Sequence, residues 1–131
     1  MTAGRSTIVV AAAIVERDGR FLMARRLKGT HLEGLWEFPG GKVHPGETLE
    51  ACLVRELEEE LGVVGTVRSL RWSTAHDYPD TRVELHFYDC AIHGEPQPRL
   101  GQELRWVSAS ELATLPVPAA DAGLVALLIG T

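Results

Sequence analysis

Paired cysteine, long apolar runs and positive charge are all scarce in this chain of 131 residues. The two cysteines, Cys52 and Cys90, form no spaced framework. That excludes a disulfide scaffold and fits reduced thiols in the cytoplasm. The apolar run at residues 8–15 is too short to span a bilayer, and Glu16, Arg17 and Asp18 follow it at once. No small-residue cleavage region comes after it, so it reads as a buried strand rather than a signal segment or membrane anchor. Thirteen Lys and Arg against eighteen Asp and Glu leave a net charge of −5, which argues against a general affinity for nucleic acid polymers. An acidic protein that binds phosphate needs a cation or a local basic patch. His44, His76, His86 and His93 lack the spacing of a zinc site. Repeats, linkers and low-complexity segments are missing as well. What remains is an ordinary globular balance, 45% apolar and 24% charged, expected to form one domain over residues 1–131. A monomer is the default for such a domain, with a homodimer left open.

Along the chain, residues 7–16 read as a strand buried on both faces. Asp18-Gly19 is a hairpin signal, and "RFLMARR" is the returning strand. Residues 27–35 form a loop, "WEF" a short strand, and "GGKVHPGE" another loop. The strongest helix spans residues 48–61, closed by Gly62. Strands follow at 66–74, 82–92 and "LRWV", then a short helix capped by Ser108 or Ser110, and a last helix from Asp121 to Leu128. The order predicts an α/β (α+β) fold, a mixed sheet sandwiched between helices.

The central helix carries four glutamates in five positions, Glu56 and Glu58 to Glu60. At about 100° per residue, Glu56, Glu59 and Glu60 share one arc, while Leu53, Val54, Leu57 and Leu61 form the neighbouring core stripe. Glu58 points away and is expected to be solvated. Crowded carboxylates repel one another, and Arg55, at i,i+4 to Glu59, is expected to relieve only one edge. A solvated acidic face is the plain explanation for such crowding. Its place after a glycine-rich loop and beside an apolar stripe favours another, a hard-cation site of oxygen ligands with room for waters and phosphates.

Residues 41–63 resemble the Nudix box, G-x5-E-x7-R-E-U-x-E-E-x-G-U with U aliphatic, at every fixed position. Gly41, Glu47, Arg55-Glu56-Leu57, Glu59-Glu60 and Gly62-Val63 supply them. The resemblance implies the Nudix fold and hydrolysis of a nucleoside diphosphate linked to another group, with Mg²⁺ or Mn²⁺. It further implies that Glu56, Glu59, Glu60 and the Gly41 carbonyl bind the metal. Glu47 would brace loop and helix, Arg55 would orient the glutamates, and Glu56 would be ligand and candidate base.

"LEGLWEFPGGKV", Arg25-Arg26, "YPD" and "PAAD" extend the similarity to the MutT-type branch. That branch converts nucleoside triphosphates, often oxidised purines such as 8-oxo-dGTP, to monophosphate and pyrophosphate. A sister group with very similar sequences prefers cytidine nucleotides. Hydrolases of ADP-ribose or dinucleotides, and a nucleotide sensor without turnover, stay open. By position, Arg26 and His31 flank the substrate, Lys42 contacts phosphate, Phe38 walls the base, and Asp80 and Asp121 lie near its edge. Four of them have a plainer alternative: a core aromatic for Phe38, a turn residue for Asp80, a helix N-cap for Asp121, a loop histidine for His31. Two departures stand out. Leu100 sits where the branch places a late carboxylate two residues before a glutamine, here Gln102, and "PAAD" lacks the MutT asparagine. Glu103 would fill the gap only if the loop shifted.

Overall fold

The computed structural model describes residues 6–30 and 32–130. Strand β1 (Ser6–Arg17) is its axis. Asp18 and Gly19 both take positive φ (52° and 75°), the two-residue turn that matches strand twist, and lead into β2 (Arg20–Arg25). Strand β3 (Trp36–Glu37) pairs with β2, and β4 (Gly40–Lys42) lies antiparallel to β1 at Val10–Ala12. Helix α1 (Leu49–Leu61) then crosses to β5 (Val64–Asp77), which returns through a turn into β6 (Thr81–His93). β6 runs parallel to β1 from Ser6↔Thr81 to Val15↔Cys90, and β7 (Leu104–Ser108) closes on β2. The result is a seven-stranded mixed sheet. Helices α2 (Ala109–Leu112) and α3 (Ala122–Ile129) end the chain.

Side chains alternate across β1 and feed two cores. Ala11, Ala13 and Val15 meet Leu53, Leu57 and Leu61 of α1, whereas Ala12 and Ile14 meet Phe87, Leu124 and Leu128 on the opposite face. This is why the strand reads as continuously apolar. Ser108 is the cap of α2, in a reciprocal box with Glu111.

Three expectations need correction. Gly40 to Lys42 form a strand rather than the start of a loop. A Cβ at Gly40 would overlap the Ala11 carbonyl oxygen, so glycine here permits close strand approach rather than a turn. Val54 is not in the core stripe: it is exposed, and Cys52 is fully buried on the other flank, where β4 covers the helix. Asp121 does not cap α3 with its side chain, because a 3-10 turn (Ala119–Asp121) precedes the helix and leaves the carboxyl free to point elsewhere.

Candidate active site

Thr48 caps α1 by accepting the Ala51 N–H (3.0 Å), and Gly62 ends it in the left-handed conformation (φ 67°). Between these ends the Arg55 guanidinium organises the acidic face. It grips Glu47 through Nε–Oε2 (2.7 Å) and Nη2–Oε1 (2.9 Å), and reaches Glu56 (2.8 Å) and Glu59 (3.2 Å) through Nη1. It also donates to the Lys42 carbonyl (3.1 Å), tying helix to loop. The expectation that Arg55 serves one edge is therefore too small, because a planar fork with five donors answers several acceptors at once. The Glu47 carboxyl, bound by Arg55 and by the His44 N–H, is held down at about 2.

Glu56 and Glu60 lie together beneath the glycine pair. A Cβ on Gly41 would come within 2.5–2.7 Å of the Glu56 carboxyl group. Glu60 is pushed well above the usual carboxylate range, by burial first and then by its contact with Glu56, with Glu37 adding to it. Its Oε2 is buried without a hydrogen-bond partner. Glu59 is half exposed at the rim, and Glu58 faces solvent. Among the described residues, no three His, Cys, Asp or Glu side chains are gathered as a finished cation cage. Arg55 holds Glu56 and Glu59 from the side instead. An orphaned buried carboxyl oxygen beside a second carboxyl group is costly alone and is a donor set of the kind hard divalent cations take, so the residues fit such an ion.

A cleft of about 580 Å³ opens from this point along the sheet. It brings together Arg26, Phe38, Gly41, Lys42, Asp80 and Asp121, which lie far apart in sequence. His31 lies outside the described residues. Phe38 is both core and wall, standing edge-on to Phe87 at 5.7 Å and 80° while facing the cleft. Asp121 is 3% exposed, and burial, then the charge of Glu37, pushes its carboxyl up to about 7. Asp80 sits exposed on the turn between β5 and β6, at the mouth.

Sequence reasoning missed Glu37. It lines the cleft, pairs with Arg26 (3.2 Å), and acts electrostatically on both Glu60 and Asp121, so it lies between the two ends of the site. The available signal was a lone acid between two buried aromatics, Trp36 and Phe38. Its pairing also means that Arg26 is held partly by a carboxylate rather than aimed wholly at substrate. The late loop brings no acid to replace the carboxylate missing at Leu100. Leu100 is 54% exposed, and Glu103 turns toward Arg25 (3.5 Å).

The NUDIX domain profile matches residues 10–127. This chain belongs to the Nudix hydrolase family. It is 42% identical over 115 residues to the CTP pyrophosphohydrolase of Escherichia coli strain K12, covering 87% of this chain and 85% of that protein. It is 39% identical over 127 residues to the 8-oxo-dGTP diphosphatase of Haemophilus influenzae, covering 95% and 93%. Among solved structures, the E. coli ORF135 protein superposes with a TM-score of 0.85 at 38% identity, covering 96% of this chain and 91% of that one. The mixed sheet with its flanking helices is thus the Nudix fold. No helix among the described residues is long and apolar enough to cross a membrane.

Proposed function

We propose that this Nudix hydrolase converts a nucleoside triphosphate to the monophosphate and pyrophosphate, with Mg²⁺ or Mn²⁺ as cofactor, and that oxidised purine nucleotides such as 8-oxo-dGTP are its substrates. The observation that carries this reading is the cleft that Phe38, Asp121, Gly41 and Lys42 line together, with the Glu56 carboxyl group lying against Gly41. An apolar wall with one buried acid suits a base, and a glycine strand with a lysine beside carboxylates suits a phosphate chain. In this assignment Glu56, Glu59, Glu60 and the Gly41 carbonyl hold the cation. When bound, the cation neutralises phosphate charge and acidifies water for attack on phosphorus. Glu56 would be both ligand and candidate base. Arg55 keeps the glutamates in register, Lys42 and Arg26 offset phosphate charge, and Phe38 packs on the base. The free nucleotide is the only partner required, in the cytoplasm, without nucleic acid polymer or membrane.

Cytidine nucleotides are the second reading. The 42% identity to a CTP pyrophosphohydrolase and the "PAAD" segment that carries Asp121 favour it. A neutral Asp121 would donate to cytosine N3 and accept from its amino group, whereas an ionised one would accept from guanine N1–H and its amino group. The deciding experiment compares kcat/KM for 8-oxo-dGTP, dGTP, CTP, 5-methyl-dCTP and ADP-ribose with Mg²⁺. Pyrophosphate release from one triphosphate well above the others is expected, and no turnover across the panel defeats the enzymatic reading. Glu59→Gln should lower kcat by two orders of magnitude or more, roughly the scale of a lost catalytic group; near-normal activity would remove Glu59 from the cation site.

A further inference from the structure

The carbonyl end of α1 is held by the loop at residues 97–102. The last carbonyls of a helix lack partners within it. Here the Leu61 carbonyl accepts the Gln97 N–H (2.8 Å), and the Glu60 carbonyl accepts two donors, the Arg99 N–H (3.1 Å) and Gln102 Nε2 (3.1 Å). The same Gln102 amide accepts the Leu100 N–H through Oε1 (2.9 Å). Gln102 is only 6% exposed, so its amide spends its bonding capacity on the helix end and on its own loop. Arg99 reinforces the arrangement by laying its guanidinium over Gly62, where a Cβ would come within 2.5 Å of Nε.

Glu60 is thereby fixed at both ends. Its carboxyl is buried beside Glu56 under the glycine pair, and its carbonyl is clasped from the loop. We infer that Gln102 is a positioning residue for the cation site: by clasping the Glu60 carbonyl, it sets where the buried Glu60 carboxyl stands beside Glu56. The loop that lacks a carboxylate at Leu100 would thus still serve the cation, through backbone placement rather than ligation. This inference rests on the proposed cation site of Glu56, Glu59 and Glu60.

Groups that orient a ligand without touching the metal typically alter metal affinity by about 10- to 100-fold. Mn²⁺ binding to the full chain, without nucleotide, is measured by the paramagnetic resonance of free Mn²⁺. Gln102→Met preserves bulk and removes both bonds. Gln102→Glu keeps the acceptor for Leu100 and replaces the donor to Glu60 by a carboxylate oxygen, which covers the case in which the methionine variant does not fold. Either folded variant should bind Mn²⁺ about tenfold more weakly than wild type, at the lower end of that range. The Mn²⁺-induced rise in Tm should shrink with it, whereas a purely structural role would lower Tm equally with and without the ion. Affinity within about twofold of wild type in a folded variant would overturn the inference, being far below the expected range. Wild type that binds no Mn²⁺, or Glu60→Gln that binds it unchanged, would defeat the cation-site reading itself.

Discussion

Gly41 shows how much of the site is set by the lack of an atom. Its backbone does not need positive φ, so alanine is sterically permitted by the chain itself. The added methyl would nevertheless meet the Glu56 carboxyl group at 2.5–2.7 Å, and only the carboxylate is flexible enough to yield. Gly41→Ala should therefore fold with a Tm near wild type while kcat falls about 100-fold, because a displacement near 1 Å at a reacting group costs about that much. A normal rate would mean that Glu56 works from another position. Asp121 supplies the other test at this scale. Burial, then the charge of Glu37, pushes its carboxyl up to about 7 from an ordinary 3.8. Below that point it is neutral and suits an aminopyrimidine edge; above it, it is ionised and suits guanine. The ratio of kcat/KM for CTP to that for 8-oxo-dGTP should rise as pH falls from 8 to 6, on a midpoint near 7. Asp121→Asn should flatten the dependence; a ratio that ignores pH in wild type would take Asp121 away from the base.

At the scale of elements, legibility followed locality. Helix α1 could be read to within a residue, from 48 to its stop at Gly62, because the stop signal is chemical and lies next to the helix. The glutamate spacing was readable for the same reason. β4 was not, since Gly40-Gly41 looks like a turn until β1 is known to lie against it. Val54 was misplaced because periodicity gives the angle of a side chain but not which flank is covered. Glu37 escaped because its partners Arg26, Glu60 and Asp121 come from three other parts of the chain. The late loop belongs to the same category: only the fold reveals that Gln102 reaches the end of α1 and that Glu103 faces Arg25. Glu103→Gln should accordingly leave kcat within about twofold of wild type, since an exposed pair at this separation contributes little. A large loss would mean that the loop rearranges in the working enzyme to bring Glu103 to the cation.

For the whole molecule, the buried acids make stability depend on pH in an unusual direction. An acid whose folded pKa is raised binds more protons in the native state than in the unfolded one, so stability falls as pH rises between the two values. Asp121 contributes such a decline from about 3.8 to about 7, and Glu60, raised from 4.5, extends it upward. Glu47 works oppositely: held at about 2 against 4.5, it adds stability above 4.5 that disappears as pH falls toward 2. The cation-free protein should therefore be most stable in mild acid and lose Tm from pH 5 to pH 8, since Asp121, Glu60 and Glu37, all raised by burial, titrate above their unfolded values. A divalent cation at the proposed site would bind the ionised form of Glu60 and favour the native state, offsetting its part of the slope. The rise in Tm produced by Mg²⁺ should then grow with pH. Asp121→Asn should remove its own part of the slope, which the cation does not correct. Thermal melts at several pH values, with Mg²⁺ and with chelator, separate these contributions. A Tm that climbs from pH 5 to 8 in chelator would contradict the burial of Asp121 and Glu60, and with it the picture of a fold whose proposed active site is stabilised by its own cofactor.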